Sequence, residues 1–140
     1  MTLIQDGLGA LVTYLKAQSA ISALISTRVY GLEVPKADAT AMPRKCIVIN
    51  NAGGIGQASD LDVYQWRLDF KCYGETAFEA VKVWRTLRTE LRDLEKNVTD
   101  STVLYNALHS AGPFSFRDQP TEWYVTLDTW LVKIQDTVVS

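Results

Sequence analysis

The segment from Leu61 to Leu94 constrains the fold of this chain most strongly, because the spacing of its apolar residues changes once, after Gly74. Between Tyr64 and Cys72 every second residue is apolar, which is typical of a strand with one buried face. Beyond the glycine, apolar residues recur at steps of three and four and predict a buried helical stripe. That stripe consists of Phe78, Val81, Trp84, Leu87, Leu91 and Leu94. The segment therefore predicts a strand that leads into a long helix over about residues 76–95.

The start of the predicted helix carries a capping signal. Thr76 is followed three residues later by Glu79, which is the spacing of a capping box. In that motif the hydroxyl and the carboxylate each accept a hydrogen bond from a backbone N–H that has no partner within the helix. We therefore expect the helix to begin directly after Thr76.

Shorter signals divide the part of the chain before this segment. Two N-terminal helices are predicted, the first opened by Thr2 with Gln5 and the second from about Ser19 to Ile25. Residues 26–45 contain prolines and small polar residues and predict an extended arm over the surface. The unbroken apolar run from Cys46 to Ile49 predicts a buried strand.

A glycine-rich loop, residues 50–60, follows that run. A phosphate-binding loop needs a helix N-terminus directly after its glycines, whereas the next predicted element here is a strand. We therefore interpret the loop as the tip of a hairpin that reaches beyond the domain, and as a candidate axial or lumen contact of an assembly. The residues of this candidate contact loop are Asn51, Gly53, Gly54, Gly56 and Asp60.

Two further strands are predicted in the C-terminal part. The first runs from Val98 to Phe116, with a bulge expected at Gly112-Pro113 because proline cannot donate a hydrogen bond to a neighbouring strand. The last runs from Glu122 to Gln135 and is apolar on both faces. Together the patterns predict an α+β fold in a single domain of residues 1–140. Its mainly antiparallel four-stranded sheet is covered on one face by the long helix, assisted by the two N-terminal helices.

The predicted strands are long for a body of this size. A globule of 140 residues is about 35–40 Å across, whereas a strand of 14 residues, such as Glu122 to Gln135, spans about 45 Å. A projecting strand with apolar side chains on both faces needs cover from another chain. We therefore predict an oligomer whose candidate interface lies on one side of the last strand. The candidate interface residues are Trp123, Val125, Leu127 and Leu131.

The residues that usually carry catalysis are sparse. His109 is the only histidine, and Cys46 and Cys72 lack metal-binding spacing and are expected to be buried free thiols. No histidine pair or Ser-His-Asp arrangement can be assembled from this set, so we expect no enzyme activity, catalytic residue, cofactor or metal. Arg67 and Asp128 are predicted to form a cross-strand ion pair instead.

Charge and hydropathy argue against two classes of partner. Fourteen basic and sixteen acidic residues give a net charge of −2, which does not suit a dedicated nucleic-acid binder. No apolar run approaches the roughly 20 residues of a membrane-crossing helix, and no leader peptide is expected. On and just after the long helix, basic residues are interleaved with Glu79, Glu90, Asp93 and Glu95, which favours a solvated face, with a partner-binding surface as the alternative. These basic residues are Lys82, Arg85, Arg88, Arg92 and Lys96.

Several short patterns follow one another along most of the chain. They are Arg28-Val29-Tyr30, Val34-Pro35, Pro43 ahead of Ile47-Val48-Ile49, the alternation from Tyr64 to Phe70, the helix entry from Tyr73 to Ala80, and the turn from Asp118 to Thr121 before Tyr124-Val125-Thr126-Leu127. In this order they resemble the tail terminator and tail completion proteins of long-tailed bacteriophages, the minor tail protein U-like family.

The resemblance implies a structural virion protein that forms a homohexameric ring at the head-proximal end of a phage tail tube, stops tube polymerisation and offers a head-joining surface. The implied partners are other copies of the chain, the tail tube protein and a head-completion or connector protein. DNA would pass through the lumen without sequence-specific binding, and no membrane is involved. The implied location is the virion tail, after synthesis in the host cytoplasm.

Two alternatives remain open from the sequence. One is another head–tail connector or adaptor ring. The other is a small-ligand-binding α+β module, whose pocket on the open face of the sheet would need Arg67, Asp69, His109 and Asp128 to converge.

Overall fold

The structure of the chain, a computed structural model, describes residues 3–4, 7–40, 42, 44–55, 63–99, 102–118, 121–136 and 138–139. Within these ranges, the helices are α1 (Gly7–Lys16), α2 (Ser19–Ile25), the single turn α3 (Lys36–Ala39) and α4 (Ala77–Arg92). The strands are β1 (Leu3–Ile4), β2 (Val29–Gly31), β3 (Cys46–Ile55), β4 (Val63–Gly74), β5 (Asn97–Thr99), β6 (Thr102–Arg117), β7 (Tyr124–Asp136) and β8 (Val138–Val139).

Six of the described strands form one curled, mixed sheet in the order β2-β3-β4-β7-β6-β5. Neighbouring strands run antiparallel except β2 and β3, which run parallel with Val29 beside Ile47. The terminal strands β1 and β8 form a separate antiparallel pair. The predicted fold, a mainly antiparallel four-stranded sheet covered by one long helix, is therefore wrong.

The two additional strands of the sheet are short edge segments. β2 lies in the predicted arm, and the chain that includes α3 then crosses over, so that β2 and β3 point in the same direction. β5 pairs with the first three residues of β6, Thr102–Leu104. Three residues are too few to display an alternation, so the period of the sequence did not reveal either strand.

The larger core lies between the helices and one face of the sheet. Leu87 and Leu91 of α4 are fully buried there, together with Leu68 and Phe70 of β4. The N-terminal helices contribute Leu11, Leu15, Ile21 and Ile25 to the same core. At roughly 1.5–3 kcal/mol for each large side chain, this burial is the main stabilising contribution to the fold.

The buried face of α4 is rotated relative to the predicted stripe. Its buried residues are Ala80, Val83, Leu87 and Leu91. Phe78, which was predicted to be buried, is 89% exposed. Gly74 explains the difference, because a Cβ atom at this position would lie 2.5 Å from the backbone nitrogen of Ala80. The end of β4 therefore meets the first turn of α4 directly, which directs Ala80 toward the sheet and Phe78 toward solvent.

A smaller core covers part of the opposite face of the sheet. Its buried members are Cys46, Val48, Tyr73 and Val125, with Tyr30, Val34, Met42 and Trp123 packed around them. Several of these residues come from the segment 26–45, so the predicted arm folds back over its own sheet. We call the remainder of this face, on the side away from α4, the open face.

In the part of the chain that the structure describes, no single helix has the length and apolar character needed to cross a membrane. The pair formed by Leu8–Lys16 and α2 meets those two criteria only when taken together, and its members are bent by 82°. Both contribute side chains to the larger core.

The predicted cap at the start of α4 is confirmed at Thr76, whereas the reciprocal bond of the capping box goes to the residue before it. The Thr76 hydroxyl accepts a hydrogen bond from the Glu79 backbone N–H at 3.2 Å. The Glu79 carboxylate accepts one from the Glu75 backbone N–H at 2.9 Å, one residue before the cap. One backbone donor that the helix cannot pair, and one donor just before the helix, are thereby satisfied.

We expect Thr76→Ala to lower the free energy of unfolding by about 1 kcal/mol, because one of these donors loses its acceptor. Urea denaturation measures the change. Thr89→Ala is the matched control, since the Thr89 hydroxyl only donates to the Arg85 carbonyl within the same helix, and its loss should change stability by less than about 0.5 kcal/mol. Equal losses in the two variants would contradict the capping role.

Candidate functional site

A buried carboxylate, Asp128 of β7, joins two strands and a helix. Its side chain is fully buried, and Oδ2 accepts the indole N–H groups of Trp84 and Trp130, each at 2.7 Å. Oδ1 lies 2.7 Å from Nε2 of His109 and accepts the backbone N–H of Thr129 at 3.2 Å. A carboxylate removed from water is costly unless it is hydrogen-bonded, and these four contacts provide that compensation.

An irregular stretch of β6 brings His109 to this carboxylate. The register between β6 and β7 shifts twice between His109 and Phe114, so the predicted bulge around Gly112 is confirmed. Gly112 has a φ of +96°, and a Cβ atom on it would lie 2.9 Å from both Oδ1 of Asp128 and the carbonyl oxygen of Leu127. Glycine is therefore required for β6 to pass so close to the carboxylate.

Asp128 does not pair with Arg67. The residue of β4 that lies opposite Asp128 is Phe70, whereas Arg67 lies opposite Leu131. Since successive side chains of a strand point to opposite faces, Asp128 faces α4 and Arg67 faces the open side. The predicted ion pair is wrong for this reason.

The same geometry separates the residues of the predicted ligand pocket. Asp69, which accepts the Thr129 hydroxyl at 2.6 Å, lies on the open face with Arg67. His109 and Asp128 meet on the opposite face. The four side chains therefore do not converge. Among the described residues, no three His, Cys, Asp or Glu side chains are grouped so that they would hold a metal ion.

A groove of about 480 Å³ lies beside His109, between α4 and β6; we call it the α4–β6 groove. It is lined by Trp84, Arg88, Arg92, Ala107, Leu108, His109, Pro113 and Trp130. The imidazole of His109 packs edge-to-face on Trp130, with ring centroids 5.2 Å apart. The guanidinium carbon of Arg88 lies 5.8 Å from the Trp84 ring centroid. The groove thus combines aromatic walls with a cationic rim.

Sequence reasoning missed this groove because its residues come from three elements, and the bulged register of β6 decides which of them meet. One signal was available. Buried tryptophans need an acceptor for the indole N–H, and Asp128 is the one acidic residue in the otherwise apolar stretch around Trp130.

Both cysteines are buried free thiols, as predicted. Burial raises the pKa of Cys46 to about 12. Burial, and then the negative charge of Asp128, raise the pKa of Cys72 well above its ordinary value. Because the thiolate is the reactive form, neither thiol is a nucleophile at neutral pH.

An apolar surface is formed by three exposed side chains of β6. Leu108, Phe114 and Phe116 are 52%, 59% and 41% exposed. In the sheet they lie opposite Leu131, Leu127 and Val125, so all six side chains point to the side of the sheet away from α4. We call the set Leu108, Phe114, Phe116, Leu127 and Leu131 the β6–β7 patch; Leu108 also borders the groove.

The structure brings the four candidate interface residues to this face with unequal exposure. Leu127 and Leu131 are half-buried within the β6–β7 patch. Val125 is 1% exposed and belongs to the smaller core of its own chain. Trp123 packs edge-to-face on Tyr73, with ring centroids 5.7 Å apart. Most of the free apolar surface comes instead from β6, which sequence reasoning did not select.

The predicted contact loop is partly a strand. Asn51, Gly53 and Gly54 lie in β3, which continues to Ile55 and pairs with β4 across a bulge between Asn51 and Gly54. The antiparallel hairpin is confirmed, but the loop prediction is wrong for residues 50–55. Gly56 and Asp60 lie outside the described residues.

No protein-family model matches this chain, and no curated protein matches its sequence. Its fold is similar to that of a chain in the solved structure of the virion of a native gene transfer agent (GTA) particle, with a TM-score of 0.67. The match covers 94% of this chain and 99% of that chain, at 13% sequence identity. The two chains therefore share a fold over nearly their whole lengths.

Proposed function

We propose that this chain is a structural subunit of a phage-like virion, and that it forms a ring at the head-proximal end of a tail tube. There it stops tube polymerisation and provides the head-joining surface. Two observations of different kinds support the proposal: the fold shared with a chain of the gene transfer agent virion, and the order of sequence patterns that resembles tail terminator proteins.

The β6–β7 patch carries the proposal. Three of its apolar side chains are 41–59% exposed on one strand, which is unusual for a protein that remains monomeric in water. Moreover, β5 pairs with β6 only as far as Leu104, and beyond it no described strand adjoins that edge of β6. A second copy that covers the patch and pairs with this edge would satisfy apolar and backbone groups together.

Repetition of such a contact produces the assembly. When the patch of one copy meets a different surface of the next, the contact is heterologous, and it closes into a ring if the rotation permits. Six copies follow the tail terminator resemblance. The tube protein and a head-completion protein would then bind the two axial faces. The net charge of −2 suits a lumen through which DNA slides without being held.

Tube polymerisation tests the proposal. Purified chain added to polymerising tube subunits of the same virion should shorten the tubes and add ring density at one end in negative-stain electron microscopy. Tubes of unchanged length with bare ends would contradict it. A ring that binds the head-completion protein but no tube would identify the connector or adaptor alternative instead.

A further inference from the structure

A row of positive charges runs along α4 beside the α4–β6 groove. Lys82, Arg85, Arg88 and Arg92 are all exposed, and their spacing of three or four residues keeps them on one side of the helix. They extend over about 15 Å of helix length. We call this row the basic stripe. Its last two members also line the groove.

Most of this stripe has no acidic partner in the part of the chain that the structure describes. Among the described residues, no carboxylate forms an ion pair with Lys82, Arg85 or Arg88. Arg92 meets only Asp93, at 3.9 Å with both side chains more than 60% exposed, a contact that contributes little. Burial, and then the negative charges of Glu90 and Asp93, raise the pKa of Tyr14 in α1, so these two carboxylates also act on a residue outside the stripe.

The groove next to the stripe is largely apolar, and none of the described residues that line it is acidic. Asp128, which contacts the lining residues Trp84, His109 and Trp130, is itself fully buried and engaged by their three ring nitrogens. Trp130, Pro113 and Ala107 supply apolar walls. The volume of about 480 Å³ accommodates an apolar side chain of a partner. The site therefore complements a ligand that is negatively charged and apolar at once.

We propose that the basic stripe and the α4–β6 groove together bind an acidic segment of another protein, which places an apolar side chain in the groove and carboxylates against Arg88 and Arg92. A phosphate backbone would use the stripe and leave the groove unfilled, so a protein segment matches more of this surface. The inference goes beyond the proposed ring, because α4 and its stripe lie on the opposite side of the sheet from the β6–β7 patch, of which Leu108 alone also borders the groove.

Isothermal titration calorimetry on the full chain tests this docking surface with a defined probe, the peptide acetyl-Glu-Asp-Leu-Glu-Asp-amide. Replacing its leucine by alanine should weaken binding about tenfold, because the groove then loses its apolar occupant. A peptide with lysines in place of the acidic residues should not bind. In the protein, Arg88→Glu should weaken binding of the leucine peptide by about tenfold or more.

Lys16→Glu is the matched control, because Lys16 is an exposed residue at the end of α1 and the change in charge is the same. It should bind the peptide as the wild type does. Circular dichroism checks folding, and Arg92→Glu provides a second variant if Arg88→Glu misfolds. Equal binding of the leucine and alanine peptides would overturn the proposal. So would tighter binding of a short DNA duplex than of the peptide, or no effect of either charge reversal.

The oligomer mass of each variant is measured in parallel, which separates this inference from the proposed ring. Arg88→Glu should retain the wild-type mass while it loses the peptide. A monomeric wild type that binds the peptide would contradict the ring and support the docking surface. A ring that does not bind the peptide would support the proposed ring and contradict the docking surface.

Discussion

Replacing Asp128 by alanine is expected to lower the free energy of unfolding by about 3–5 kcal/mol, because the network loses its centre and each donor left without an acceptor costs about 1–3 kcal/mol. The indole N–H groups of the buried Trp130 and the half-buried Trp84 would lose their shared acceptor, and His109 would lose its partner. The same carboxylate connects α4, β6 and β7, so its loss also loosens the packing of these three elements. Urea denaturation followed by far-ultraviolet circular dichroism measures the change.

Two further variants make this result specific. Asp69→Ala removes a half-buried carboxylate on the open face that accepts one hydroxyl, from Thr129, and should cost about 1 kcal/mol. The stability loss of Asp128→Asn should lie between those of Asp69→Ala and Asp128→Ala, because the amide oxygen still accepts both indole N–H groups while the NH2 group faces His109. A loss at Asp128→Ala no greater than that at Asp69→Ala would show that the network does not hold the elements together.

Replacing Phe114 by aspartate is expected to convert the assembled protein into folded monomers of 15.6 kDa. In the monomer the side chain at this position is 59% exposed, so water solvates the new charge. Within a subunit contact the charge would be buried without a partner, at a cost of at least about 2 kcal/mol for each interface. A ring repeats that cost at every contact. Size-exclusion chromatography with light scattering measures the mass.

Phe78→Asp is the matched control for this experiment. Phe78 is more exposed than Phe114, at 89%, but it lies on the outward side of α4 rather than on the open face of the sheet. Its replacement should leave the assembly intact. If both variants keep the wild-type mass, or if both become monomeric, the β6–β7 patch is not the specific interface.

Local signals in the sequence predicted local structure well. The change of period at Gly74 identified β4 and α4, and the Thr76–Glu79 pair identified the residue at which α4 begins. The rotation of α4 could not be obtained in this way. It depends on the close approach of Gly74 to Ala80, which a helical period does not contain, and so Phe78 was placed in the core.

The candidate sites depended on information that the sequence does not hold. Because β7 is apolar on both faces, its pattern could not decide which side meets α4, and Asp128 was assigned to the wrong partner. The bulges of β6 then determine that His109 reaches the carboxylate and that Phe114 and Phe116 lie on the open face. The length and apolar faces of the last strand did predict an apolar surface in the β6–β7 hairpin, but they pointed to β7, whereas most of that surface lies on β6.

Sedimentation equilibrium of the purified wild-type chain at micromolar concentration tests most directly whether the open face is closed by other copies. We expect a single species near six times 15.6 kDa that does not dissociate on moderate dilution. A stable species of 15.6 kDa, with Leu108, Phe114 and Phe116 left in water, would contradict the proposed ring.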